Sequence, residues 1–398
     1  MHYLRSRLFF PILIQTALIG SVCLILPAAL VLLSLRCVRA YRCAVRFVCL
    51  AWFTLAASLL ERESDAIVAT GDVPAATDRT SLILCNHRSR IDWMYIWVLV
   101  ARFGTSASLK IALKDSLRSV PFFGWAMQAF LFIFLSRRDR EHDLTALREG
   151  LRYAVHTLRE PTTFLLFPEG TDLSPSSLEK SKAWAAARGL APYHHLLQPH
   201  AAGFVEAVGA MGDALDAVYD VTVLYTPRPA EGLAAGPGIG DDMRPAGGGG
   251  GSSADPWRPS EVEMLSGRFP KAVHLHVRRI DASELPKSPE KLTEWLNARW
   301  AAKEALLAAN SESLGAPNPA AAAPTERYAR FTLFWGVACA LLLLGLFAVP
   351  VLWLPLSLGC VALALATRFG GGLGAIEMAM QPAQVLHRPA SGLVVPLV

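Results

Sequence analysis

Residues 81–100 read SLILCNHRSRIDWMYIWVLV. The first five, Ser81–Cys85, form a short apolar run of strand character, and the last seven, Met94–Val100, are apolar and fit a helix. The polar loop between them holds His87 and Asp92, five residues apart. On one continuous helix that spacing would set them ~140° apart, at ~100° per residue. They can meet only if His87 lies in the loop and Asp92 in the first helical turn. The carboxylate then accepts from one ring nitrogen and leaves the other as a general base. A histidine near an aspartate is a common pattern, and a structural histidine beside a surface carboxylate fits the same residues.

The strand–loop–helix pattern repeats outward from this stretch. Thr163–Phe167 (TFLLF) and Val218–Tyr225 (VYDVTVLY) are strand-like. In Lys271–Ile280, Val273, Leu275 and Val277 face one way, with His274, His276 and Arg278 the other. Between them, Asp139–Arg159 repeats leucine and valine at helical steps, and Ser288-Pro289-Glu290 signals a helix start. The alternation predicts an α/β class. Thr163–Phe167 runs straight into Pro168-Glu169-Gly170-Thr171. Gly170 permits close backbone approach there, and Glu169 and Thr171 offer polar groups to a substrate. By itself the segment is an ordinary strand-to-loop turn.

Of the 398 residues, 53% are hydrophobic and 18% charged. Soluble domains average ~45–50% and ~25%, so a disordered chain and an ordinary wholly soluble enzyme are both excluded. The net charge of +5 is too mild and dispersed to argue for nucleic acid, but suits an anionic membrane surface. The apolar excess sits at the ends. Leu8–Leu35 carries no formal charge over about 28 residues, where ~20 suffice to cross a bilayer and a cleaved signal has ~7–15. Arg36, Arg39, Arg42 and Arg46 follow it, against Arg5 and Arg7 before it, which favours the downstream side as cytosolic.

The expected organisation is a membrane anchor over 1–60, with a span at 8–35 and a second apolar segment at 47–60. That second segment is short for a crossing, so an interfacial or re-entrant helix is expected. A catalytic domain follows over 61–310, with a Gly-rich insert at 227–257. A linker at 311–330, a transmembrane hairpin at 331–367 broken by Pro350 and Pro355, and a tail at 368–398 complete the chain. The seven cysteines form no C-x-x-C pair. Cys37 and Cys43, among arginines beside the first span, admit palmitoylation, although free thiols fit as well. His194, His195 and His200, and His274 with His276, lack a carboxylate or cysteine spaced to complete a metal site, so no metal is expected.

The two motifs together carry more than either alone. N-H-x-x-x-x-D (86–92), followed about 75 residues later by F-P-E-G-T (167–171), resembles the glycerolipid acyltransferase family. Lys110–Lys114 (KIALK), Val120–Trp125 (VPFFGW) and Phe134–Arg138 (FLSRR) resemble its second block. Gln198–Phe204 (QPHAAGF), with Asp220–Val223 (DVTV), resembles its fourth. The longer strings NHRSRIDWM and FPEGTDLS are closest to the branch of lysocardiolipin and related lysophospholipid acyltransferases. The likeness covers roughly residues 70 to 307, apart from the Gly-rich insert. One departure stands out: His200 replaces the branch's arginine, and Ala201 and Ala202 its two threonines, which weakens any phosphate clamp built there.

The resemblance implies a mixed sheet flanked by helices, with N- and C-terminal transmembrane helices. It implies that His87, oriented by Asp92, deprotonates a lysophospholipid hydroxyl that attacks acyl-CoA, a substrate, with no cofactor. Asn86, Arg88, Glu169, Gly170, Thr171, Lys110, Arg137 and Arg138 are the implied substrate-binding residues, with backbone amides or Arg88 near the first motif as the oxyanion donors. Lysolipid, acyl-CoA and membrane lipids are the expected partners, with no nucleic acid or obligate protein partner. The expected place is the endoplasmic reticulum membrane, catalytic domain on the cytosolic side. A catalytically silent membrane scaffold of the same fold, and a hydrolase using water as acceptor, are the alternatives.

Overall fold

The computed structural model describes residues 2–75, 77–227, 258–309, 315–349, 351 and 353–380. The expected insert, from residue 228 to 257, and the tail beyond 380 lie outside the described residues.

Helix α1 (His2–Ile19) runs through π-helical turns and the short α2 (Leu26–Ala28) into one apolar rod, Arg7–Leu33, long enough to cross a membrane. Pro27 has no N–H for the α pattern, and the wider turns lie on either side of it. Helix α3 (Val38–Leu60) corrects the expectation for 47–60. It starts well before the apolar run, and its 23 residues are long and apolar enough for a crossing. Arg39, Arg42 and Arg46 had masked its first turns as a loop.

The sheet has seven strands in the order β1-β7-β6-β2-β5-β3-β4. They are β1 (Ala66–Gly71), β2 (Thr80–Cys85), β3 (Leu109–Lys114), β4 (Ile133–Leu135), β5 (Thr162–Leu166), β6 (Ala217–Thr226) and β7 (Ala272–Asp281). Strands β6, β2, β5, β3 and β4 are parallel; β7 pairs antiparallel with β6 and parallel with β1. This is the mixed sheet the sequence led one to expect. β1, β3 and β4 are additional to the four strands read from pattern.

Every residue of β2 is buried. Ile83 and Cys85 enter the core shared with α3 and α4 (Asp92–Phe103), while Leu82 and Leu84 enter a second core on the opposite face. A strand covered on both faces reads as a continuous apolar run, which is why SLILC shows no alternation. The second core takes in α6 (Arg140–Arg152), α8 (Ala201–Met211) and α10 (Pro289–Ala308). Helices α5 (Phe123–Ala129), α7 (Pro175–Ala186) and α9 (Glu261–Leu265) are shorter elements around the sheet edge.

The expected linker is not loose where it is described. Pro317 bridges Thr70, and Asn318 N donates to the Ala69 carbonyl at 2.9 Å, so the segment lies along β1. Helices α11 (Thr325–Ala348) and α12 (Trp353–Phe369) form the expected C-terminal pair. The expected tail is corrected in part. Residues Gly372–Ala379 form α13, bent 84° from the preceding helix, with Glu377 fully buried against the catalytic domain. Among the described residues, three helices are long and apolar enough to cross a membrane, or four if the bent pair is one span.

Candidate active site

Parallel strands bring their C-terminal ends to one edge of the sheet. The His87 loop follows β2, the FPEGT turn follows the adjacent β5, and Arg137 and Arg138 follow β4. Ligands of open α/β sheets gather at this edge.

Asp92 is the first residue of α4 and is fully buried. Its Oδ2 lies 2.9 Å from His87 Nδ1 and accepts from Ser89 N at 3.0 Å. Its Oδ1 accepts from the Tyr225 hydroxyl at the end of β6. The His87 ring stacks on Phe167 at 4.3 Å between centroids. Its main chain is held from both sides. His87 N donates to Glu169 Oε1 at 3.1 Å, and the His87 carbonyl accepts from Leu173 N at 2.8 Å. No described residue hydrogen-bonds to Nε2. Burial pushes the His87 pKa down, but the Asp92 hydrogen bond and charge, with Glu169 and Asp172, outweigh it and leave the pKa raised. A histidine fixed at Nδ1 with Nε2 open is set up to take a proton from a hydroxyl.

Several residues expected to meet substrate are otherwise engaged. Asn86 is fully buried and clasps Val223, donating to its carbonyl at 3.1 Å and accepting from its N–H at 2.7 Å. Glu169 is 3% exposed, and both carboxylate oxygens are taken, by His87 N, Trp300 Nε1 and Leu197 N. Burial pushes its pKa up to about 7 against those hydrogen bonds and the His87 charge. Lys110 points into the interior at 2% exposure, where burial and then the Arg42 charge bring its ammonium down to about 8. Arg88, 1% exposed, has Nε and Nη1 bonded to no described residue and is not among the lining of the cavity described below. The burial of these four has one physical cause. Each side chain sits on an inward position of a loop or strand, a direction the linear motif does not reveal.

Gly170, Thr171, Arg137 and Arg138 are exposed at the edge. Gly170 has φ +71°, in the left-handed region. The two arginines lie three strands from β2, about 14 Å at ~4.8 Å per strand. Among the described residues no group of three or more His, Cys, Asp or Glu is placed to hold a metal. His194 and His195 turn their N–H groups to Glu304, and His274 and His276 pair with Thr226 and Thr70.

A cavity of about 430 Å³ opens at the loop that carries His87, with neither His87 nor Asp92 in its lining. Arg90, Ile91, Trp93 and Met94, just beyond His87, line one part, and Arg90 and Glu261 there are exposed. Apart from those two and Ser21, its lining is apolar and drawn mainly from α1, α3, α4, β3 and α5. Along the N-terminal rod of α1 and the π-helical turn after it, the cavity extends from Phe10 to Ile25, about 22 Å at ~1.5 Å per residue.

Leu173, Tyr225 and Trp300 make contacts in this site that the sequence did not assign to it, and Phe167, quoted as part of the FPEGT string, supports the His87 ring. Of the three, Tyr225 left a signal, an aromatic hydroxyl at the end of a predicted strand.

A family model described as Acyltransferase matches residues 66–226, and one described as Acyltransferase C-terminus matches residues 263–312. The chain is 35% identical to lysocardiolipin acyltransferase 1 of Danio rerio, over 75% of this chain and 70% of that protein. It is 33% identical to lysocardiolipin acyltransferase 1 of Mus musculus, over 82% of each. It is 32% identical to the probable 1-acyl-sn-glycerol-3-phosphate acyltransferase 5 of Arabidopsis thaliana, over 70% of this chain and 66% of that protein.

Proposed function

Because the chain belongs to the glycerolipid acyltransferase family, we propose that it transfers an acyl group from acyl-CoA to the free hydroxyl of a lysophospholipid. The acceptor is of the 1-acylglycerol-3-phosphate or lysocardiolipin type. The observation that carries this reading is the His87–Asp92 pair beside a long apolar cavity.

The cavity takes the acyl chain. One leaflet is ~15 Å deep, half of a ~30 Å hydrocarbon core, so about 22 Å along the N-terminal rod accommodates a long chain in full. The thioester then lies at the polar end, beside His87. His87 Nε2 takes the proton of the acceptor hydroxyl as its oxygen attacks the thioester carbonyl. The C–O bond forms, the tetrahedral intermediate collapses, the C–S bond breaks, and the CoA thiolate takes the proton back from the imidazolium. Asp92 keeps Nδ1 protonated and stabilises the imidazolium. No acyl-enzyme is needed. Arg137 and Arg138, exposed about 14 Å along the same edge (three strands at ~4.8 Å), suit the phosphates of the head group or of CoA. Four arginines after the first span against two before it support a cytosolic catalytic face, at the endoplasmic reticulum membrane.

The test is turnover of acyl-CoA by the purified full chain with a panel of lysolipids, scored by product mass. The wild type should form one diacyl product preferentially, and His87→Ala should lose transfer while remaining folded. Near-normal turnover by His87→Ala would overturn the mechanism. A lack of turnover with every lysolipid would favour a silent scaffold, and CoA release without an acceptor would favour a hydrolase.

A further inference from the structure

Helix α10 reaches the catalytic edge with three neighbouring side chains, Trp300, Lys303 and Glu304, within little more than a turn. Trp300 Nε1 donates to Glu169 Oε1 at 3.3 Å, the oxygen that also holds His87 N. Lys303 Nζ pairs with Asp220 Oδ1 at 2.6 Å and also donates to the carbonyls of Val221 and Leu84. Leu84 stands three residues before His87. Glu304 accepts from His194 N and His195 N, in the loop whose Leu197 N donates to Glu169 Oε2. Trp300 and Lys303 are 0% and 2% exposed. Among the described residues, the side-chain hydrogen bonds and the ion pair of these three go to the loops and strands around His87 and none to its ring, so they act on the site through its frame.

A buried cation is tolerated only when paired and hydrogen-bonded, and Lys303 meets that demand by gripping the middle of β6 and the C-terminal end of β2. Glu169 poses the same problem with opposite sign. It is a buried carboxylate with three donors, one of them from α10. We propose that α10 is the positioning element of the site, and that Trp300 sets the His87 main chain by way of Glu169. The proposal rests on the acyl-transfer reading above and assigns a role to the part of the chain matched by the C-terminal family model.

Protonation of Glu169 removes an acceptor oxygen and frees the His87 loop. The groups facing that carboxylate are His87 and the Leu197 N–H, the Trp300 N–H of α10, Arg88 of the loop and Cys85 of β2. With Trp300 among the groups that favour the ionised form, its loss should move the acid limb of activity to higher pH.

Trp300→Phe keeps a ring in place and deletes the N–H. In the full chain, kcat should fall about tenfold or more, with KM for both substrates little changed and the acid limb at higher pH. In a Glu169→Gln background the same substitution should cost nothing further, since residues acting through one another are not additive. Losses that multiply in the double variant, or an acid limb that stays put, overturn the proposal and leave Trp300 as packing. If the wild type acylates no lysolipid, the acyl-transfer reading fails while positioning is still decided by diethylpyrocarbonate modification of His87. Faster modification in Trp300→Phe than in wild type supports it, and equal rates overturn it.

Discussion

His87 is held by contacts that do separate jobs. Asp92 fixes the ring through Nδ1, Phe167 supports its face, and Glu169 and Leu173 fix its main chain. A general base works in its neutral form, and the Asp92 charge stabilises the protonated one. The net raised pKa therefore places the acid limb of kcat/KM above the ordinary histidine value of ~6.5. Asp92→Asn should lower kcat by about a hundredfold and shift that limb to lower pH, as a pH–rate profile would read. Tyr225→Phe leaves the fully buried Asp92 Oδ1 without that donor. It should cost about 1–3 kcal/mol of stability, measurable by thermal unfolding in detergent. Both motifs were legible in the sequence, as was the condition under which His87 and Asp92 meet. Tyr225 was not, because its place beside Asp92 depends on β6 lying next to β2.

At the scale of elements, the cavity is a joint product of α1 and the catalytic domain. Ala17, 6% exposed, lies along its wall. Ala17→Phe should shift donor preference toward shorter acyl-CoA, read by competition between chain lengths; an unchanged profile would remove the acyl chain from this cavity. The VPFFGW turn forms part of the same wall. A Cβ at Gly124 would sit 2.1 Å from the Arg118 carbonyl oxygen, and Phe122 there is at φ +64° with its carbonyl bonded by Ser21 Oγ at 2.8 Å. Gly124→Ala should therefore destabilise the fold by about 1–3 kcal/mol, visible as a lowered Tm. Helices α4, α6 and α10, the terminal apolar helices and the strands β2, β5, β6 and β7 were readable because their patterns are strong. The strand β3 and the onset of α3 were not, because Lys110 and the arginines of α3 break the apolar run, and β4 is only three residues long.

For the whole molecule, helix α3 near the N-terminus and helix α13 near the C-terminus meet at the domain that carries His87. Arg42 of α3 forms a two-point pair with Glu160 before β5, lies 3.5 Å from Glu377 of α13, and donates to the Ala129 carbonyl. Tyr153 donates to the same Glu377 at 2.9 Å. The side chains of Arg42 and Glu377 are 4% and 1% exposed. Arg42→Met would leave the buried Glu377 without its arginine and Glu160 with Arg46 alone, and loss of one partner of a buried pair costs about 3–5 kcal/mol. Unfolding in detergent should show that loss, and a Tm equal to wild type would mean the terminal helices are not built into the domain in this way.

The order of elements, the α/β class, the apolar ends and the two catalytic strings are properties of local pattern, and the sequence alone determined them. Pattern reports the period and type of side chains along one segment. It does not report which segments become neighbours. That is why only the tertiary structure decided that Glu169 and Asn86 hold the loop and that Lys110 and Arg88 are buried. The same holds for α10 reaching the catalytic edge and for α13 closing on Arg42. Each depends on contacts between residues dozens to hundreds of positions apart, set by the packing of both faces of one sheet.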